Sequence, residues 1–236
     1  MDSPKRKTNL IYWFPAEQCI FKIEPGYDQQ RVKSISTTPR IYFHPNFLSD
    51  EECQYIIQQG EETGLQESLV LTGKSSHRTS SGVSLNSTEN TILQEIEERI
   101  AVWTHIPAEH GEPLYILKYT EGQEYKPHSD FFSPTHPVFS KLLELSGQRV
   151  ATVLMYLAAP ELGGETTFPK ANVTIRPEKG SAVLFWSVTN DNTVDINSIH
   201  GSLPVVNGTK YCLTKWIREK KFIPLPPKRP DEQLIL

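Results

Sequence analysis

"RVATVLMYL", residues 149–157, is an almost unbroken apolar run with β-branched and aromatic residues, bounded by Gly147 on one side and Pro160 on the other. That composition at that length marks a strand. It is one of seven such runs after Pro113, with "LYILKY" (114–119), "TTF" (166–168), "NVTI" (172–175), "AVLFW" (182–186), "SLPVV" (202–206) and "YCLTKWI" (211–217). Gly, Pro or Asn separates them, and they follow helical patterns instead of alternating with them. That order favours an antiparallel sandwich or jelly roll over a parallel α/β sheet.

The helical patterns lie upstream. "LSDEECQYIIQQGEETGL" (48–65) opens with Ser49 and Glu52 in capping-box spacing, carries Cys53, Ile56 and Ile57 on one face, and ends near Gly60 to Gly64. "NSTENTILQEIEERIAVWTHIP" (86–107) offers Asn86 and Ser87 as N-caps and repeats Ile92, Leu93, Ile96, Ile100 and Trp103 at helical spacing, with Pro107 beyond its end. Both helices are expected to lie against the sheet. The expected organisation is an N-terminal arm over 1–38, in which Ile20, Phe21 and Ile23 suggest an edge strand, a main domain over 39–221, and a proline-rich extended tail over 222–236.

Composition narrows the function. The 236 residues are 37% hydrophobic and 22% charged, enough apolar surface for a substantial core. A net charge of -4, with Lys5-Arg6-Lys7 as the one early cationic run, provides no broad field for phosphates, so nucleic acid is not an expected partner. Cys19, Cys53 and Cys212 form no Cys-x-x-Cys pair, which argues against a thiolate zinc site and leaves room for one disulfide. No stretch approaches the ~18 apolar residues of a membrane span. The chain as written reads as cytoplasmic, or as resident in the endoplasmic reticulum lumen if a targeting segment has been removed. The sequons at Asn86, Asn172 and Asn207 decide nothing. Oligomeric state is not legible.

Chemistry enters at "YKPHSDFF" (125–132). His128 and Asp130 stand at i and i+2, so in a straight strand both side chains project from one face. Alone, such a pair is more often a solvated turn. His200, in "SIHGSLPV", supplies a second imidazole, and two imidazoles with one carboxylate form a facial triad suited to non-haem Fe(II), with zinc as the rival. Ten residues on, alternation puts Lys210, Cys212, Thr214 and Trp216 on one strand face. A lysine sharing a face with such neighbours is either an exposed edge-strand residue or a buried cation for a carboxylate.

The residues in order carry a resemblance. "FLSDEEC" (47–53), "RTSSG" (78–82), "ERIAVWTHIPAEHGEPLYILKYTEGQEYKPHSDFF" (98–132), "GQRVATVLMYL" (147–157), "GGETTFP" (163–169), "PEKGSAVLF" (177–185) and "IHGSLPVVNGTKYCLTKWI" (199–217) together resemble the 2-oxoglutarate- and Fe(II)-dependent prolyl 4-hydroxylases, from about Pro39 to Lys220. The resemblance implies a mainly β fold with supporting helices (α+β): a double-stranded β-helix, the cupin-like jelly roll, packed against N-terminal helices. It implies that His128, Asp130 and His200 hold Fe(II) and that Lys210 receives the distal carboxylate of 2-oxoglutarate, assisted by Tyr119 and Thr166. It implies substrate contacts at Arg78, Ser80, Glu112, Arg149 and Trp216. From its small, polar composition 72–82 reads as a mobile flap or a plain surface loop, and 131–147, long for a hairpin connection, as either a lid or a short helical insertion.

The implied reaction is hydroxylation of proline at C4 in a peptide or protein, consuming O2 and 2-oxoglutarate and releasing succinate and CO2, with ascorbate rescuing uncoupled turnover. Two other readings compete. One keeps the cofactors and changes the acceptor to another protein side chain or a nucleobase. The other is a non-catalytic, metal-holding cupin-like module, against which Lys210 argues, because a simple metal binder has no use for a lysine beside the metal.

Overall fold

The computed structural model describes residues 31–67, 77–133 and 139–225. The edge strand expected in the N-terminal arm, Cys19, flap residues 72–76, His136 and most of the C-terminal tail lie outside the described residues. Among the described residues there are three α-helices: α1 (Asp50–Thr63), α2 (Thr91–Thr104) and α3 (Ser140–Ser146). The strands are β1 (Lys33–Thr37), β2 (Arg40–His44), β3 (Gln66–Glu67), β4 (Ser81–Ser84), β5 (Tyr115–Tyr119), β6 (Tyr125–His128), β7 (Arg149–Ala158), β8 (Leu162–Gly163), β9 (Thr166–Phe168), β10 (Val173–Ile175), β11 (Ala182–Trp186), β12 (His200–Ser202), β13 (Val205–Asn207) and β14 (Lys210–Arg218).

Every strand pairing is antiparallel. An eight-stranded sheet runs β1-β2-β11-β7-β14-β5-β4-β3, and a four-stranded sheet runs β10-β9-β12-β6. β8 and β13 form a small ribbon beside them. The period-2 rule sorts the side chains of the large sheet into two cores. Ala151, Val153, Met155, Leu157, Leu184 and Leu213 face Ile56 of α1 and Leu93, Ile96 and Ile100 of α2. Tyr156, Val183, Phe185 and Cys212 face the opposite way, onto Phe168, Ile175 and Val205. The site lies between the sheets, in this second layer.

The helices start where local chemistry satisfies their free N–H groups. The Ser49 side chain accepts from Glu52 N at 3.1 Å while Glu52 Oε2 accepts from Ser49 N at 2.7 Å, and Gly64 ends α1 at φ 91°. For α2 the cap is Asn90, whose Oδ1 accepts from Leu93 N at 3.1 Å. The expected caps serve elsewhere: Asn86 Oδ1 closes a turn onto Thr88 N, and Ser87 Oγ donates to Glu97. "SLPVV" proves to be two elements, the end of β12 and the start of β13, because Pro204 has no N–H to continue a ladder.

The sheet takes in β1, upstream of residue 39. After β14, Phe222 N donates to Glu109 O at 2.8 Å and Ile223 N to Ser146 Oγ at 2.8 Å, so the first tail residues run along the outside. The 131–147 segment contains α3, the short helical insertion of the two alternatives. Cys53 and Cys212 are free and buried. Among the described residues no helix is long and apolar enough to cross a membrane.

Candidate active site

β6 and β12 pair so that His128 and His200 are direct register partners. Their ring centroids are 4.4 Å apart. The close approach of these strands requires Gly201, where a Cβ would meet Tyr125 O at 2.7 Å. Each imidazole Nδ1–H donates to a backbone carbonyl two residues earlier, His128 to Lys126 O at 2.9 Å and His200 to Ser198 O at 3.0 Å. A carbonyl only accepts, so both Nε2 lone pairs are left for the site. Tyr125 stacks on His128 at 3.5 Å between centroids.

Asp130 lies just beyond the end of β6, not on it, in a bend that turns its carboxylate inward. It is 7% exposed and accepts from Thr152 Oγ1 at 2.7 Å. His128 Nε2 is 3.7 Å from Asp130 Oδ1 and His200 Nε2 is 3.6 Å from Oδ2. Among the described residues these three form the one group whose metal-ligating atoms all lie within 4.8 Å of each other. Burial and the neighbouring His200 push His128 down to about 3, so it is a neutral ligand. Burial alone would raise Asp130, but His200, His128, Arg149 and the Thr152 hydroxyl outweigh it and hold the carboxyl below its ordinary value. Two imidazoles and one carboxylate fit Fe(II).

The triad opens into a pocket of about 460 Å³, a volume that includes space open to solvent. Lys210, 1% exposed, lies at its other end. Its Nζ donates to Gly164 O at 2.7 Å and Ser202 Oγ at 2.8 Å, both neutral oxygens, and burial lowers its pKa. Gly164 sits at φ 72°, where a side chain is strained, and this turn aims its carbonyl at the ammonium. Lys210 also stands 5.3 Å over the Tyr119 ring and 5.6 Å over that of Tyr156. Tyr156 OH donates to Thr166 Oγ1 at 2.7 Å, leaving the Thr166 proton for a ligand. Buried cations require a counter-charge, so this end suits a carboxylate.

Among the described residues, Thr214 Oγ1 and Trp216 Nε1 are buried without a hydrogen-bond partner, and both residues line the pocket. β14 therefore presents Lys210, Cys212, Thr214 and Trp216 on one face, as alternation requires.

The remaining predicted residues gather at the Trp216 end. Arg78 lines the pocket, its guanidinium 4.9 Å over Tyr125, with Nε donating to Ser80 Oγ at 3.2 Å behind it. Backbone bonds from Lys126 N to His77 O and from Thr79 N to Glu124 O stitch this stretch to the start of β6. Arg149 lies flat on Trp216 at 4.3 Å and forks onto Glu112, with Nε to Oε1 at 2.7 Å and Nη2 to Oε2 at 2.6 Å. Glu112 and Arg149 thus occupy each other.

Tyr125, Thr152, Tyr156 and Ser202 are the parts that sequence reasoning passed over. A signal existed for two of them: Thr152 and Tyr156 stand on the even face of "RVATVLMYL", the face opposite the helix core. Tyr125 stood within the stretch that carries the first two ligands.

The chain is similar to known proteins. Residues 114–218 match the family model of the 2OG-Fe(II) oxygenase superfamily. Prolyl 4-hydroxylase 1 of Arabidopsis thaliana is 44% identical over 207 residues, 79% of this chain and 71% of the relative. Probable prolyl 4-hydroxylase 7 of the same plant is 40% identical over 221 residues, 84% of this chain and 68% of the relative. Among solved structures, the 2-oxoglutarate complex of the viral collagen prolyl hydroxylase of Paramecium bursaria Chlorella virus-1 aligns with a TM-score of 0.62 at 27% identity, over 75% of this chain and 95% of that one. With a triad that fits Fe(II), a buried lysine that fits 2-oxoglutarate and relatives at these identities, the chain belongs to the prolyl 4-hydroxylase family of Fe(II)- and 2-oxoglutarate-dependent oxygenases.

Proposed function

We propose that this protein hydroxylates C4 of proline within an extended stretch of a peptide or protein, converting proline, 2-oxoglutarate and O2 to hydroxyproline, succinate and CO2. One observation carries the reading: the His128–Asp130–His200 triad and the Lys210 ammonium open onto one pocket whose outer wall is aromatic and cationic. Fe(II), held by the triad, supplies the activation of O2 that oxidises the unreactive C4–H bond.

The chain's own residues do the rest. Lys210 binds the distal carboxylate of 2-oxoglutarate, and the protonated hydroxyls of Tyr119 and Thr166 donate beside it; burial raises the Tyr119 pKa and keeps that proton in place. This anchor fixes where the keto-acid end meets the metal. Phe185, Leu154 and Leu117 line the pocket with apolar surface and keep water from the reacting centre. At the mouth, Tyr125 and Trp216 offer ring faces to a pyrrolidine, and Arg78 with Ser80 and the Glu112-held Arg149 offers donors for the carbonyls of an extended peptide.

The test is mass spectrometry of collagen-like and other proline-rich peptides after incubation with Fe(II), 2-oxoglutarate and ascorbate. The expected result is a gain of one oxygen localised to proline. Consumption of 2-oxoglutarate without oxygen gain on any such peptide would move the reading to another acceptor.

A further inference from the structure

Arg218, at the end of β14, is 1% exposed and is not part of the pocket wall. All three of its guanidinium nitrogens donate. Nη1 donates to Glu112 Oε1 at 3.1 Å, Nη2 to Leu142 O at 2.7 Å and Gly147 O at 2.6 Å, and Nε to Gly147 O at 3.2 Å. Its face lies 4.7 Å over Phe132, the ring that also lies 4.9 Å under Arg149.

Two things meet there. Arg218 and Arg149 are register partners on β14 and β7, so two like charges are held side by side, and the shared Glu112 carboxylate compensates both. The Leu142 carbonyl belongs to α3 and the Gly147 carbonyl to the residue that ends it, inside the insertion that begins next to Asp130. The base of that insertion is already closed, because Gln148 exchanges hydrogen bonds with Phe132 through Oε1 at 2.7 Å and Nε2 at 2.8 Å. Arg218 fastens its far end.

We propose that Arg218 is a positioning residue for peptide binding: by sharing Glu112 it fixes Arg149 on Trp216, and by holding the Leu142 and Gly147 carbonyls it couples α3 to that wall. The inference rests on the reading that the Trp216 wall receives peptide. A planar fork is required, since a lysine ammonium cannot meet Glu112 and both carbonyls in one plane.

Arg218→Lys in the full chain tests it. The peptide KM should rise about tenfold, with the 2-oxoglutarate KM unchanged within about twofold. In the substrate-free protein, amide exchange should quicken over 140–149. Glu112→Gln reaches the same network from its other end and should give the same split between the two KM values. The double variant should lose less than the product of the singles, because one network is broken in both. The proposal is overturned if the peptide KM is unchanged, if the two KM values rise together, or if exchange over 140–149 does not change. Should the wild type oxidise no peptide, the functional reading fails, and unchanged exchange in both variants would overturn the coupling independently.

Discussion

His128 and His200 face each other across β6 and β12 with centroids 4.4 Å apart, and each turns its Nδ1 outward onto a backbone carbonyl. The backbone thus chooses the tautomer and aims both Nε2 atoms before any metal arrives. Asp130 is aimed by a side chain instead, the Thr152 hydroxyl at 2.7 Å.

That difference makes Thr152 a sensitive place. Thr152→Val keeps the shape and removes one bond to a ligand, so Fe(II) affinity should fall about 10–100-fold while the fold persists. His200→Ala removes a ligand outright and should abolish succinate formation. Metal titration by calorimetry measures the first and succinate release the second. Full turnover in His200→Ala would sink the triad.

Lys210 is a buried cation whose two hydrogen-bond partners are neutral. Lys210→Met should raise the 2-oxoglutarate KM by at least about 30-fold, the lower range for truncating one partner of a buried charged contact. It should leave the ligand-free protein as stable or more so, since a desolvated charge is removed. Burial lowers the folded-state pKa below the ordinary 10.5, so between the two values the unfolded chain holds a proton that the folded one lacks. Stability contributed through this group therefore rises with pH across that window, and Lys210→Met should lose the slope. Denaturant titrations at several pH values read it out. An unchanged KM would remove the lysine from the site.

Much of this was legible because period-2 alternation survives in long strands. "RVATVLMYL" and "YCLTKWI" each divide between helix core and site as alternation requires. Of the short strands, β9 and β10 were legible from their β-branched and aromatic residues, but β6 with four residues and β3 and β8 with two each are too short to display a period. Asp130 does gather with His128 and His200, but spacing on a straight strand is not what brings it there, because it lies in a bend beyond β6. Arg218 carried no signal, since a lone arginine after an apolar run reads as a solvated end.

Away from the site, the capping box of α1 supports the helix that covers β7. Ser49→Ala should cost about 1 kcal/mol. That corresponds to roughly 2–4 °C in melting temperature for a domain of this size, with both KM values unchanged. Calorimetry and a standard turnover assay suffice. A shift in peptide KM would mean that α1 communicates with the pocket.

Glu112 is the acid on which two buried arginines depend. Burial would raise its pKa, but Arg149 and Arg218 outweigh this and hold it below the ordinary 4.5. An acid with a depressed folded-state pKa contributes stability that is present above 4.5 and lost as pH falls through the folded value. Acid unfolding of the wild type should therefore include this group. Glu112→Gln should flatten that part of the curve and cost about 3–5 kcal/mol at neutral pH, because Arg149 and Arg218 are left adjacent with no compensating carboxylate. Urea titrations from neutral pH down to about pH 3, run on both proteins, measure the difference. Parallel curves would show that the arginines draw their compensation from elsewhere, and Arg149 would then sit on Trp216 without Glu112 holding it there.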